Sequence, residues 1–405
     1  MRNNVRKVYD NYHFRKEISN MPGQQYNYQN RPTEKLTAKY ILRWFSHRWF
    51  IFIMGTGALA SVFQLLSGAR TGLLHALAVS FLVLAIGVFP VAAFFMMLRF
   101  FVGLDCILKE WRHSSLIQFY SAIFIAAAIC ATGLINVPTS FIPESTSYNL
   151  ALVFWWIALV IGLFFALFTS FKVMIGNHAE PRRALGFWFL PPVGLFVVVF
   201  AGNFLAMHMQ SVSHAKWILF LNTFILGIAI PITVIIFTSV LSRALLYNFP
   251  RRDVAPSFMI GVAPIGVSIV AINTYLPLLK ELALPELISA AALAPLVKLV
   301  SLLLWGFGLW WLLIAIMAIT YYFIKQGVPV TLGYWAFIFP PAAYTIATLI
   351  LAKSLNMPFM KYFAIVMATV LAVAWAVNLI LTIRGMINRT IFDVSPTFKG
   401  DIPYL

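Results

Sequence analysis

Acidic residues are scarce in this sequence, and its apolar runs hold none in their interiors. Against 29 Lys and Arg stand 12 Asp and Glu. Each acid, among them Asp105, Glu110, Glu144, Glu281 and Glu286, falls outside a hydrophobic run or at its end. Proton relays and cation pathways inside membranes rely on buried carboxylates, and Mg-dependent membrane transferases need carboxylate clusters to hold the metal. Neither can be assembled here. Cysteine is almost missing: Cys106 and Cys130 are separated by one apolar run, so no disulfide framework or Cys metal site is expected. No nucleophile, base and metal group together, so the chain is read as having neither enzyme activity nor a cofactor. The start lacks an apolar signal-peptide core, which speaks against a cleaved leader. The net charge of +17 is not gathered into a recognition helix or an aromatic-interleaved patch, so nucleic acid is not expected as a partner.

What is present in quantity is hydrocarbon. Hydrophobic residues make up 61% of the chain and charged ones 10%, against about 25% charged in a soluble domain. Ten runs are long enough to cross a membrane at 1.5 Å per residue. They are Trp49–Leu66, Leu73–Leu98, Leu116–Ile135, Leu150–Phe171, Phe187–Met209, Trp217–Leu241, Pro256–Leu276, Val297–Phe323, Leu332–Leu351 and Tyr362–Ile383. After the seventh, apolar character continues through Pro277 and Pro295, a stretch read as an outer loop. Residues 1–48 form a polar, basic, flexible tail attracted to anionic headgroups, 49–383 the membrane domain, and 384–405 a C-terminal tail. With both termini in the cytoplasm, inner segments hold 23 of the Lys and Arg and outer segments 6. That is the bias expected of a plasma or inner membrane protein.

The runs alternate in character. Odd ones carry small, kinking or polar residues, as in MGTGALA (Met54–Ala60), PPVG (Pro191–Gly194) and GVAPIG (Gly261–Gly266), whereas even ones read VFWWIALVIGLFFALF (Val153–Phe168) or LLLWGFGLWWLLIAI (Leu302–Ile316). Small residues let helices approach closely. The expected fold is therefore all-α: five tandem helical hairpins, odd helices as an inner ring around a central pore and even helices outside.

The segment Gly333–Thr348 attracts most attention, because Phe339 directly precedes Pro340 and Pro341. The two prolines are expected to break a helix at membrane depth, which is tolerated where protein or a water-filled cavity receives the freed carbonyls. Phe339 then either faces a pore or packs against a neighbour. Gly55, Thr56, Gly57, Pro192, Gly194, Pro264, Gly266, Pro340 and Thr345 are candidates for shaping such a path, with Ser121, Thr132, Asn203 and Ser268 as further polar groups. Hydroxyls, exposed amides and helix N-termini suit an anion, which carboxylates would repel. Lys298 either attracts anions at an outer vestibule or snorkels to the interface. His208 and His214 have no acidic or cysteine partner close in sequence, so no metal site is expected.

MGTG in the first run, WFLPPVG (Trp188–Gly194), APSFMIGVAPIG (Ala255–Gly266), WGFGLWW (Trp305–Trp311) and YWAFIFP (Tyr334–Pro340) come in order along the chain. Together they resemble the tellurite-resistance/dicarboxylate transporter family, which includes plant slow anion channels, malate permeases and sulfite exporters. The resemblance spans about Trp49 to Ile383 and leaves out the N-terminal tail. It implies a pseudo-fivefold bundle, commonly a homotrimer, with a pore in each subunit occluded by a phenylalanine on helix nine. The match of YWAFIFP makes that residue Phe339, with Phe337 as its competitor. Small inorganic or organic anions are the implied substrates, passing through a gated pore. The alternatives are a coupled carrier or exporter of malate-like C4-dicarboxylates or sulfite, and, more remotely, a membrane enzyme or receptor.

Overall fold

The computed structural model describes residues 37–112, 116–175, 184–247, 255–281, 290–326 and 332–388. Among them, ten helical segments, four of them counted with the 3₁₀ turn that leads into the α-helix, are long and apolar enough to cross a membrane. Their α-helices are α1 (Trp49–Ser67), α2 (Leu73–Val102), α3 (Ser121–Asn136), α4 (Glu144–Ile175), α5 (Leu190–Met207), α6 (Val212–Leu246), α7 (Val262–Glu281), α8 (Ala290–Gln326), α9 (Phe339–Leu355) and α10 (Pro358–Ile387). The protein is an all-α integral membrane protein.

Two kinds of helix alternate. Between 67% and 94% of the apolar window is buried within the bundle for the odd spans, against 22% to 39% for the even ones. Small residues explain the difference, because Gly57, Gly194 and Gly266 each leave room for a neighbouring helix that a β-carbon would fill. Each odd helix packs on the even helix that follows it. The odd helices also pack in succession, α1 on α3, α3 on α5, α5 on α7 and α7 on α9, and α9 returns to α1.

Length separates the two classes as well. The even helices run 30 to 37 residues, about 45–55 Å, and overshoot a hydrocarbon core of about 30 Å. The odd helices run 16 to 20 residues. Four of them are preceded by a 3₁₀ turn, Ile117–Tyr120, Gly186–Phe189, Ala255–Gly261 and Leu332–Phe337.

The prolines account for two of these starts. Pro191 and Pro192, and likewise Pro340 and Pro341, occupy the first helical positions of α5 and α9. There a missing N–H costs nothing and the fixed φ suits the helix. This revises the expectation that Pro340 and Pro341 break a helix: they begin one, and Ala342 N already donates to Ile338 O at 3.0 Å. Pro277 and Pro295, expected in a loop, lie inside α7 and α8.

Of the expected N-terminal tail, residues 37–48 are described. Ala38–Arg43 is helical, and Arg99 holds the segment after it, donating from Nε to Arg43 O at 3.0 Å and from Nη1 to Phe45 O at 2.8 Å. Arg43 pairs with Asp105 of the linker helix Leu104–Trp111. Residues 1–36 and 389–405 of the two expected tails lie outside the described residues.

Candidate functional site: a cavity at five helix starts

A narrow cavity of about 10 Å³, enough for one water at most, lies where the odd helices begin. Ile51 and Met54 come from α1, Phe119 from the turn before α3, and Leu190 and Val193 from α5. Ile260 and Ala263 come from the start of α7, and Ala336, Phe339 and Pro340 from the start of α9. Every odd helix or the turn that leads into it therefore contributes to one wall, and every lining side chain is apolar. The helix starts around it carry partial positive charge, the sign that favours an anion.

Phe339 is 2% exposed and is the first residue of α9, so its ring is delivered by the turn that the prolines fix. Phe337 does not line the cavity; its ring packs on Tyr334 with centroids 5.5 Å apart. Gly55 is the neighbour that lets α9 start here. A β-carbon at Gly55 would stand 3.1 Å from Ile338 Cβ and 3.8 Å from Phe339 N.

The remaining candidates fall in other places. Thr56 accepts from Trp375 Nε1 of α10 at 3.0 Å, so its hydroxyl is turned to the outer layer. Gly57 abuts Ile129 of α3, Gly194 abuts Phe124 of α3, and Gly266 abuts the α9 backbone; these three shape helix contacts. Pro192 and Pro264 are buried in the first turns of α5 and α7 and do not line the cavity. Thr345 donates to Pro341 O at 2.8 Å within its own helix, as Thr132 does to Ala128 O at 2.9 Å. Ser268 likewise donates to Ile265 O at 2.9 Å. Asn203 joins α5 to α7 and α6, donating to Ala271 O and accepting from Asn222 at 2.8 Å. Lys298 is exposed on α8, an outer helix, and lines no part of the cavity.

Sequence reasoning did not anticipate a buried polar cluster beside the cavity. Glu110 of the linker helix pairs with the wholly buried Arg99 at 2.9 Å and accepts from Tyr120 Oη at 2.5 Å. His47, 3% exposed, stacks on Tyr120 with its Nδ1 4.0 Å from Glu110. Burial, then the charges of Arg48 and Arg99, push the His47 pKa well below 6.5. Glu110 sits one turn after Cys106 and Ile107, on the buried side of that helix, a placement that the sequence alone did not signal.

A family model described as the voltage-dependent anion channel matches residues 44–383, which covers all ten spans up to the last turn of α10. The chain belongs to the voltage-dependent anion channel family. Two uncharacterized transporters of Methanocaldococcus jannaschii are each 28% identical to it, one over 87% of this chain and 96% of the relative, the other over 86% and 96%. A sulfite efflux pump of Arthroderma benhamiae is 24% identical over 85% of this chain and 91% of the relative. Members of this family and these relatives are channels and transporters rather than enzymes, and this chain is a transporter of the same family. The match begins at Trp44, within the segment that Arg99 holds against the bundle.

Proposed function

We propose that small anions cross the membrane along the axis enclosed by α1, α3, α5, α7 and α9, and that Phe339 closes this path. The observation that carries the reading is the cavity to which four odd helices and the turn before α3 contribute, with Phe339 in its wall. The absence of carboxylates from the interiors of the spans agrees with it, because a fixed negative charge at that depth would repel the substrate. Gly55 lets the start of α9 pack against α1, with Ile338 3.1 Å from where its β-carbon would stand, and so sets where the Phe339 ring is held. Lys and Arg bias puts both termini in the cytoplasm, so the cavity faces the inner side. A homotrimer, with one path per subunit, is the assembly we expect in the bilayer.

A second reading is favoured by the sulfite efflux pumps among the relatives: coupled export of sulfite, or of a C4-dicarboxylate such as malate, instead of passive flow. A monoprotonated substrate would carry its own proton and need no carboxylate relay. Flux of chloride, nitrate, sulfite and malate from liposomes containing the purified wild-type protein separates the two. Passive conduction moves several anions without a pH gradient. Coupled export moves one substrate, and only when a gradient is imposed. No flux of any anion under either condition overturns both.

A further inference from the structure

We propose that Arg48 and Ser257 form an oxyanion-capture subsite at the inner mouth of the Phe339 cavity, where a small anion with two or more acceptor oxygens is held before it enters the path. The proposal rests on the axis being the anion route and adds the residues that recognise the ion.

Two independent observations put Arg48 at the rim. Its backbone is already helical (φ −63°, ψ −17°) and its carbonyl accepts from Ile51 N at 3.0 Å. It therefore stands one turn before Ile51 on the face that continues to Met54, and both of these line the cavity. Its guanidinium carbon lies 5.4 Å from the centroid of Phe119, a lining residue contributed by a different helix.

Among the described residues no carboxylate comes within ion-pair distance of Arg48. Glu110, whose field reaches it, is already held by Arg99 and Tyr120. The fork of N–H groups is thus presented without an anionic partner, in a setting where burial works against its charge. An oxyanion supplies the missing charge and the planar pair of acceptors that a guanidinium binds best.

Ser257 supplies the second group. It belongs to the 3₁₀ turn Ala255–Gly261, in which side chains three residues apart eclipse one another. Ser257 therefore lies directly before the lining residue Ile260. It is 3% exposed and its Oγ has no hydrogen-bond partner, an unusual condition for a buried hydroxyl. The turn is fixed by Gly186, where a β-carbon would stand 1.8 Å from Ser257 O. Arg48 and Ser257 thus each stand one turn before a residue of the same cavity wall, Ile51 and Ile260, on helices α1 and α7 that do not follow one another in the succession of odd helices.

The test uses the purified full-length protein, with sulfite and chloride as probes and two readouts, anion-dependent thermal stabilisation and half-saturation of flux. Sulfite is expected to raise the melting temperature of the wild type. In Arg48→Gln that rise should be lost and half-saturation for sulfite should increase about tenfold, the size of one charge-assisted contact. Ser257→Ala should weaken sulfite severalfold and chloride less. Arg48→Lys keeps the charge without the fork, remains informative if Arg48→Gln does not fold, and should fall between the two. Equal sulfite stabilisation and half-saturation in folded Arg48→Lys, Ser257→Ala and wild type would overturn the subsite. Loss of stabilisation in the variants, with no flux in the wild type, would support the subsite and overturn the transport reading.

Discussion

Gly266 of α7 and Ala343 of α9 touch through their backbones. A β-carbon at Gly266 would stand 2.6 Å from the carbonyl carbon of Ala343 and 2.6 Å from Tyr344 N. Ala343 is one turn beyond Phe339, so this contact sets the depth at which the Phe339 ring is held. On its other side α9 is held by α8, with Tyr344 Oη donating to Trp305 O at 2.6 Å and Trp305 Nε1 to Thr348 Oγ1 at 2.9 Å.

Gly266→Ala has no flexible neighbour to push aside and must separate two backbones. We expect a loss of about 1–3 kcal/mol, read as a lower melting temperature in detergent. Gly306→Ala on α8 is the control, since nothing stands within 4 Å of a β-carbon there. Its effect should stay within about 0.5 kcal/mol.

The buried pair of Arg99 and Glu110 predicts an asymmetry. Removing one partner strands a charge where there is little water, and costs about 3–5 kcal/mol. Glu110→Leu or Arg99→Met alone should therefore destabilise strongly, while the double variant should recover much of the loss. Thermal unfolding of the three proteins beside wild type measures the coupling.

His47 predicts a dependence on pH. Its folded pKa lies well below 6.5 because of burial and then Arg48 and Arg99, with Glu110 at 4.0 Å as the facing carboxylate. The unfolded chain thus binds the proton first as pH falls. Stability from this group is complete above about pH 7.5 and declines through 6.5 by up to about 1.4 kcal/mol per unit, until the folded pKa is reached. Melting temperatures from pH 8 to pH 5 should show the slope, and His47→Gln should flatten it. An equal slope in that variant would assign the effect elsewhere.

Much of the fold could be read from composition along the chain. The count of ten spans follows from run length, and burial of the odd helices follows from small residues such as Gly57, Gly194 and Gly266. Phe339 was singled out because two prolines follow it, although the reason differed: the prolines start α9 and so aim the ring. Side-chain direction was not legible. Thr56 sits between Gly55 and Gly57, yet its hydroxyl meets Trp375, 319 positions away. The cluster of His47, Arg99, Glu110 and Tyr120 was also hidden, because linker residues between spans give no sign of which helix end they fold back upon. Arg48 looked like one more charge in a basic tail; its position one turn before Ile51 and its guanidinium over Phe119 distinguish it.

The measurement that tests the central claim most directly is anion flux through Phe339→Ala beside wild type in liposomes, with folding and assembly of both verified. Removing the ring should open the dry constriction and raise flux of chloride and sulfite alike by about tenfold or more, without an imposed pH gradient. Flux equal to wild type for every anion, in a correctly folded Phe339→Ala protein, would contradict the account and leave Phe339 as packing between helices.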